Sequence, residues 1–148
     1  MVQSGVSVLK KLLLLFILLV PLLFASDLKT EQKIYKLIIH TLLPEKKEIK
    51  VWSDSLQNEK LLKTIPNLIV VKDPKDADFL LLDQQNITNT KGIIFVSNYK
   101  LLQKLRNKAV GGFFWQKGRP NILFLQENLK KRNITLPQSM QEYIEDEL

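Results

Sequence analysis

The sequence predicts a single three-layer α/β domain, in which helices cover both faces of a mixed, mostly parallel sheet. Three short apolar runs rich in branched residues alternate with segments of helical periodicity; they lie at 68–71, 79–82 and 93–96. Runs of this kind are typical of strands buried on both faces of a parallel sheet. Two further runs, 110–115 and 121–125, are separated by a segment containing Gly118, which predicts a C-terminal β-hairpin.

The first 26 residues predict a secretory signal peptide. Lys10 and Lys11 precede an unbroken apolar stretch at 12–25, and Ser26 begins an ordinary polar composition. The stretch is shorter than the about 20 residues of a membrane-spanning helix, and Pro21 favours a cleaved segment over a continuous helix. An uncleaved anchor is the alternative, because Leu23 lies where the cleavage site prefers a small residue. In both cases residues 27–148 are expected in the periplasm.

The helices and strands that follow can be placed in order. Asp27 is predicted to cap a helix that ends before Pro44, with an inward stripe of Ile34, Tyr35, Leu37, Ile38, Ile39 and Leu42. A strand at 49–52 precedes a helix at 56–65, which Ser53 or Ser55 can cap and Pro66 stops. The apolar run at 68–71 is then expected as a strand buried on both faces. A turn at 73–76 leads to the strand at 79–82.

Beyond Asp83, a polar loop leads to the strand at 93–96. Ser97 or Asn98 is expected to cap a helix that reaches about Asn107, with three inward leucines: Leu101, Leu102 and Leu105. After the hairpin, which is expected at the antiparallel edge of the sheet, comes a short basic helix at 127–132. Pro137 then opens a final helix that reaches about Glu147.

The composition excludes several functional classes. The chain has no cysteine and a single histidine, His40, so disulfides, lipoprotein attachment, and thiolate or zinc sites are not expected. The formal charge is +7, with basic residues concentrated between Lys100 and Arg132. No nucleic-acid-binding motif accompanies them, and we expect no nucleic-acid partner. A solvated basic face, a membrane surface or an acidic protein explains this stretch.

Three residues at strand ends are candidates for ligand binding. Asp83 ends one buried strand, and Ser97 and Asn98 end the next. Ligands of open α/β sheets bind beyond the carboxyl ends of the strands, although turn formation and helix capping also explain these residue types. The chain lacks a glycine-rich phosphate loop and a nucleophile elbow. We therefore predict no catalytic residue, no cofactor and no metal, and we read Asp73, Asp76 and Asp78 as turn-forming or solvated.

The hairpin offers candidates for partner binding. Gly111 and Gly112 indicate a positive φ, a bulge or the close approach of another backbone. Three consecutive aromatic residues follow, and they cannot all face one side of a strand. Trp115 is thus either an exposed anchor or, if helices cover both faces, a core residue. Arg119 is expected at the exposed hairpin tip, where its guanidinium suits a carboxylate or phosphate.

The order of features in the C-terminal half resembles the YfiR family of bacterial periplasmic proteins. The resemblance covers about residues 92–144. It rests on this series of segments: Ser97-Asn98, Gly111-Gly112, Gly118-Arg119, Ile122-Leu123-Phe124, Glu127-Asn128-Leu129, Lys130-Lys131 and Ile134-Thr135-Leu136. The chain departs from the family in four ways, of which the first is that its predicted mature part is short for the family. Asn98 replaces the usual aspartate, the cysteines of some members are absent, and the aromatic-rich end of the first helix is reduced to Leu43-Pro44.

The resemblance implies a non-enzymatic regulator. Members of the family bind the periplasmic part of an inner-membrane diguanylate cyclase and repress cyclic-di-GMP synthesis, and others accompany sensor histidine kinases. A membrane-bound cyclase or histidine kinase is thus the expected partner, contacted through the hairpin and the first helix, and a homodimer is left open. The alternatives are a periplasmic small-molecule binding protein, a hydrolase using Asp83 and Ser97, and a structural protein of the cell envelope.

Overall fold

The computed structural model describes residues 3–87 and 89–148; within the first helix it describes the side chains of residues 5–13 and of residues from 27 onward. The predicted signal peptide therefore lies largely outside the described side chains. The helices are α1 (Gln3–Leu42), α2 (Leu56–Lys63), α3 (Tyr99–Lys104) and α4 (Gln126–Lys131). The strands are β1 (Ile49–Ser53), β2 (Leu68–Val70), β3 (Phe79–Leu82), β4 (Ile93–Val96), β5 (Gly111–Gln116), β6 (Arg119–Leu125) and β7 (Ile144–Glu145).

The seven strands form one mixed sheet with the order β2-β1-β3-β4-β5-β6-β7. The first five are mutually parallel, and β5 and β6 form the predicted antiparallel hairpin. The α/β fold class is confirmed. The chain leaves β1 toward β2 on one side and returns to β3 on the other, so the strand order reverses between β1 and β3. Doubly wound sheets hold their ligands at such a switch point.

Two cores lie on opposite faces of the sheet. Residues Phe79 and Leu81 of β3 pack toward α1, α2 and α4, whereas Leu80 and Leu82 pack toward α3. All four side chains are fully buried, as the unbroken apolar run at 79–82 predicted. On the second face the six-residue helix α3 covers the sheet, with Asn98 as its N-cap. The three predicted leucines, Leu101, Leu102 and Leu105, are buried beneath it.

Helix α1 differs from its prediction. It begins at Gln3 and continues through residues 21 and 27, so Pro21 does not interrupt it and Asp27 lies inside the helix instead of capping it. The apolar stripe is also narrower than expected. Tyr35, Ile38, Ile39 and Leu42 recur at the i, i+3, i+4, i+7 spacing and are buried, while Leu37 points away and is 53% exposed. Within the described residues, no helix is both long and apolar enough to cross a bilayer.

The edges of the sheet also correct the prediction. Strand β2 was expected to be buried on both faces, but it is an edge strand and Ile69 is 42% exposed. The hairpin is not the other edge, because β7 pairs with β6 in parallel beyond it. The prediction of a final helix after Pro137 was wrong. After Pro137 the chain forms a 3-10 turn at Gln138–Tyr143 that buries Met140, and Ile144 then pairs with Phe124. Pairing there satisfies the open edge of β6.

Candidate ligand cleft and interaction surface

The three predicted ligand-binding residues lie together at the carboxyl edge of the sheet. Leu82 of β3 is paired with Val96 of β4, so the residues that follow them are neighbours. The Ser97 hydroxyl donates a hydrogen bond to Oδ1 of Asp83 at 2.7 Å. The Asn98 amide donates to the Asp83 carbonyl and, at 3.3 Å, to Oδ1. None of these three bonds uses the other carboxylate oxygen of Asp83, Oδ2.

Helix termini hold this cluster in place. Oδ1 of Asn98 accepts a hydrogen bond from the amide of Leu101 at 2.8 Å, which caps α3 and fixes the orientation of the Asn98 amide. Ser55 caps α2, as predicted, by accepting from the amide of Asn58. The side-chain amide of Asn58 in turn donates to the Ser97 hydroxyl at 3.1 Å. Residues following β1, β3 and β4 are thus joined in one hydrogen-bonded group.

Asp54 is a member of the site that the sequence analysis missed. Its carboxylate accepts hydrogen bonds from the successive amides of Asp83, Gln84 and Gln85, at 2.8, 3.0 and 2.9 Å. Asp54 directly follows β1, and Asp83 directly follows the neighbouring β3. An acidic residue at the end of a strand was the available signal, but the adjacency of β1 and β3 is a property of the sheet order, which the sequence does not reveal.

A cleft of about 160 Å³ opens beside this cluster. It is lined by Glu31 and Tyr35 of α1, by Ser55, Gln57 and Asn58 around the start of α2, by Asp83 and Ser97, and by residues 113–115 of β5. Tyr35 is only 2% exposed. Burial raises the pKa of its phenol well above the ordinary value, and the charges of Glu31 and Asp83 raise it further. Two carboxylates of the cleft wall, Glu31 and Asp83, thus act on the same phenol.

The three consecutive aromatic residues of β5 divide between the two faces, as predicted. Phe113 packs edge-on against Tyr35 on the α1 side, with ring centroids 5.2 Å apart. Phe114 packs against Tyr99 on the α3 side, at 5.5 Å. Trp115 returns to the α1 side and lies 6.0 Å from Phe113.

Trp115 links the hairpin to α1. Its indole nitrogen donates a hydrogen bond to Oε1 of Glu31 at 2.6 Å, and the side chain is 39% exposed. The two expectations for Trp115 are thereby resolved in favour of an exposed residue. Arg119 is also exposed, beside a two-residue turn in which Lys117 and Gly118 have φ of 51° and 73°. Positive φ at both positions is the geometry of a type I′ hairpin turn.

Gly111 and Gly112 are not surface residues. Both are buried, and neither has a positive φ. A Cβ on Gly111 would lie 2.2 Å from the carbonyl oxygen of Leu123, and one on Gly112 would lie 3.0 Å from Cγ2 of Val96. Of the three explanations that the sequence left open, the close approach of other atoms is correct. These glycines allow β5 to pack in the sheet, but they offer no surface to a partner.

A wider groove of about 550 Å³ continues from the cleft toward the hairpin tip. It shares Glu31, Gln57 and Trp115 with the cleft, and it is also lined by Asp27, Leu28 and Gly118. Leu28 is 53% exposed. The exposed indole, the exposed leucine and Gly118 of the hairpin tip thus border one continuous surface, which we call the α1–hairpin surface (Asp27, Leu28, Glu31, Trp115 and Gly118). Arg119 is paired with Gln116, so its side chain lies on the other face of the hairpin.

The other polar candidates do not contribute to the cleft. Asp73 caps the 3-10 turn at Pro74–Asp76, and Asp78 pairs with Lys46 at the opposite end of the strands. His40 is half-buried and does not line the cleft. In the part of the chain that the structure describes, no three histidine or carboxylate residues are grouped as a metal site would require.

Comparisons with known proteins found no relative of this chain: it matches no family model, no curated protein and no solved structure.

Proposed function

We propose that this chain is a periplasmic, non-enzymatic regulator, exported by its N-terminal segment, that binds a membrane-bound signalling protein through the α1–hairpin surface. The observation that carries the proposal is the hydrogen bond between Trp115 and Glu31, at 2.6 Å. It fixes an exposed indole at the junction of the two elements, the first helix and the hairpin, that the sequence analysis selected as the interface. Tryptophan is enriched among the residues that dominate binding energy, and Arg119, exposed on the other face of the hairpin tip, is the second candidate contact.

The choice of partner rests on the resemblance of residues 92–144 to the YfiR family. This resemblance implies that the partner is an inner-membrane diguanylate cyclase or a histidine kinase. A regulator of this kind acts by binding one state of its partner more tightly than the other, which shifts the population toward the bound state. Catalysis is disfavoured, because Ser97 donates to a carboxylate and no histidine lines the described part of the cleft.

The test is capture of crosslinked partners by the full-length chain in the envelope of its own cells, read by mass spectrometry. We expect the wild-type chain to enrich a diguanylate cyclase or a histidine kinase. The double variant Trp115→Ala/Arg119→Ala is expected to lose that enrichment. Trp115 and Arg119 are both exposed, so the fold is expected to persist, and circular dichroism of the purified variant checks this.

A matched control removes one exposed apolar and one exposed basic side chain elsewhere. The control is the double variant Ile69→Ala/Lys104→Ala, whose substitutions lie on β2 and α3. This variant is expected to capture the partner as the wild type does. The proposal is contradicted if the wild-type chain enriches no membrane signalling protein. It is also contradicted if the folded Trp115/Arg119 variant captures the partner equally well.

Small-molecule binding is a second candidate function, and one specific observation favours it. Asp83, Ser97 and Asn98 were selected from the sequence as ligand residues. Asp83 and Ser97 line a cleft at the switch point of the sheet, and Asn98 donates hydrogen bonds to Asp83 from beside it.

A further inference from the structure

We propose that the cleft binds a small primary ammonium ion, held by the Asp83 carboxylate and the Tyr35 hydroxyl. The inference rests on the second candidate function, small-molecule binding, and adds the chemical class of the ligand. Four observations carry it: an unpartnered hydroxyl, an excess of acidic groups, an occupied set of backbone amides, and the aromatic side chains of the wall.

The unpartnered hydroxyl belongs to Tyr35. Its side chain is 98% buried, given a relative exposure of 2%, and the residue lines the cleft. No hydrogen bond joins its hydroxyl to the part of the chain that the structure describes. Thr90 Oγ1 is the one fully buried polar side-chain atom without a partner among the described residues, so the Tyr35 hydroxyl oxygen is accessible from the cleft and can contact a group that enters it. Oδ2 of Asp83 likewise receives no donor from the described residues, and an ammonium group can donate to both atoms.

The excess of acidic groups selects a cation. Glu31 and Asp83 line the cleft, Asp27 lines the adjoining groove, and no lysine or arginine is among the described residues that line either. This occurs in a chain whose formal charge is +7. A positively charged ligand would be attracted to this site, and an anion would be repelled.

The backbone amides at the switch point are already occupied. In many doubly wound domains, free amides at this position bind the phosphate of a ligand. Here the amides of Asp83, Gln84 and Gln85 all donate to the Asp54 carboxylate. The protein thus supplies its own carboxylate where a phosphate would otherwise bind, so these three amides are not available to an anionic ligand.

The wall and the size of the cleft fit a small organic cation. Tyr35, Phe113 and Trp115 lie in a row, with centroid separations of 5.2 and 6.0 Å, and aromatic rings attract cations. A cavity of about 150 Å³ holds a molecule the size of benzene, and this cleft measures about 160 Å³. An alkylammonium ion of about five or six heavy atoms therefore fits.

The test is isothermal titration calorimetry of the full-length chain with butylamine, compared with butan-1-ol and butyrate. The three probes have similar size and differ in charge. We expect butylamine to bind, and the neutral and anionic probes not to bind. Asp83→Asn keeps the shape and an acceptor for Ser97 but removes the charge, and it is expected to weaken binding by about tenfold or more. Tyr35→Phe keeps the packing and is expected to weaken it several-fold.

Tyr99→Phe is the matched control, because Tyr99 lies on the opposite face of the sheet and packs against Phe114. We expect this variant to bind butylamine with the affinity of the wild type. The proposal is overturned if the wild-type chain does not bind butylamine, or if folded Asp83→Asn binds it with unchanged affinity. If butan-1-ol or butyrate binds instead, and Asp83→Asn abolishes that binding, the ammonium class is wrong while small-molecule binding at the cleft survives.

Discussion

The Asp54 carboxylate accepts a hydrogen bond from the backbone amide of Asp83, at 2.8 Å, across the boundary between β1 and β3. The same carboxylate also accepts from the next two amides, so one side chain satisfies three donors that the end of β3 would otherwise expose. The position of Asp83, and with it the geometry of the cleft, therefore depends on a residue from a different strand.

Replacing Asp54 with alanine is expected to destabilise the fold by about 2–3 kcal/mol, because the three amides lose a charged acceptor. Asp54→Asn keeps one acceptor oxygen and should cost less, about 1 kcal/mol. Urea unfolding followed by circular dichroism measures both. Asp76→Asn, at an exposed position, is the control and should unfold at the wild-type midpoint. An Asp54→Ala variant as stable as the wild type would show that water replaces the carboxylate without loss.

We expect the stability of the fold to depend on the side-chain amide of Asn98. Its Nδ2 donates to the Asp83 carbonyl and to Oδ1 of Asp83, while its Oδ1 caps α3. The YfiR family, which the C-terminal half resembles, usually has aspartate at this position. An aspartate could still cap α3, but it would place its carboxylate against two acceptor oxygens of Asp83. We expect Asn98→Asp to destabilise the fold by about 1–3 kcal/mol in urea unfolding.

The double variant Asn98→Asp/Asp83→Asn tests the cause. It restores a donor opposite the new carboxylate, and it should recover part of the lost stability if the repulsion is between these two side chains. A simple sum of the two single effects would contradict this explanation.

The buried glycines of β5 give a graded prediction. Gly111→Ala places a Cβ 2.2 Å from a backbone oxygen, whereas Gly112→Ala places one 3.0 Å from a valine methyl group that can shift. We expect Gly111→Ala to cost about 3 kcal/mol or more, and Gly112→Ala about 1 kcal/mol. Thermal unfolding measures both.

Gly118→Ala separates crowding from backbone strain. No atom lies within 4 Å of the added Cβ, but φ is +73°, so a cost of about 1 kcal/mol is expected from conformation alone. The interpretation fails if Gly118→Ala is more destabilising than Gly111→Ala.

Local patterns predicted most of the fold. The unbroken apolar runs at 79–82 and 93–96 correspond to the central strands β3 and β4, whose side chains are all buried. The Gly118 turn and the flanking apolar runs predicted the hairpin, and Ser55 and Asn98 were among the predicted helix caps. These features depend on residues close together in sequence, which is why the sequence suffices for them.

The errors and omissions arise from contacts distant in sequence. The run at 68–71 has the composition of a central strand, but β2 lies at the edge because the chain crosses back over β1 to reach β3. The segment after Pro137 forms a 3-10 turn, and the pairing of Ile144 with Phe124, a residue distant in sequence, extends the sheet where a helix was predicted. Tyr35, Glu31 and Asp54 were not selected for the site, because only the fold brings them close to Asp83.

The ion pair between Lys46 and Asp78 gives the fold a predictable dependence on pH. Its nitrogen–oxygen distance is 2.9 Å, and the other oxygen of Asp78 accepts from the amide of Lys50, also at 2.9 Å. Burial by itself would raise the pKa of Asp78, but these hydrogen bonds and the nearby lysine charges outweigh it and lower the pKa below the ordinary 3.8.

A carboxyl group whose pKa is lower in the folded state than in the unfolded state stabilises the fold above its unfolded value. That stabilisation is lost as the pH falls through the folded value. We therefore expect Asp78→Asn to be less stable than the wild type at neutral pH, and the difference to shrink as the pH falls below the ordinary carboxyl pKa of 3.8. Urea unfolding across this range measures it, with Asp76→Asn as the control whose difference from the wild type stays near zero. A difference for Asp78→Asn that is independent of pH would assign its effect to packing instead of charge.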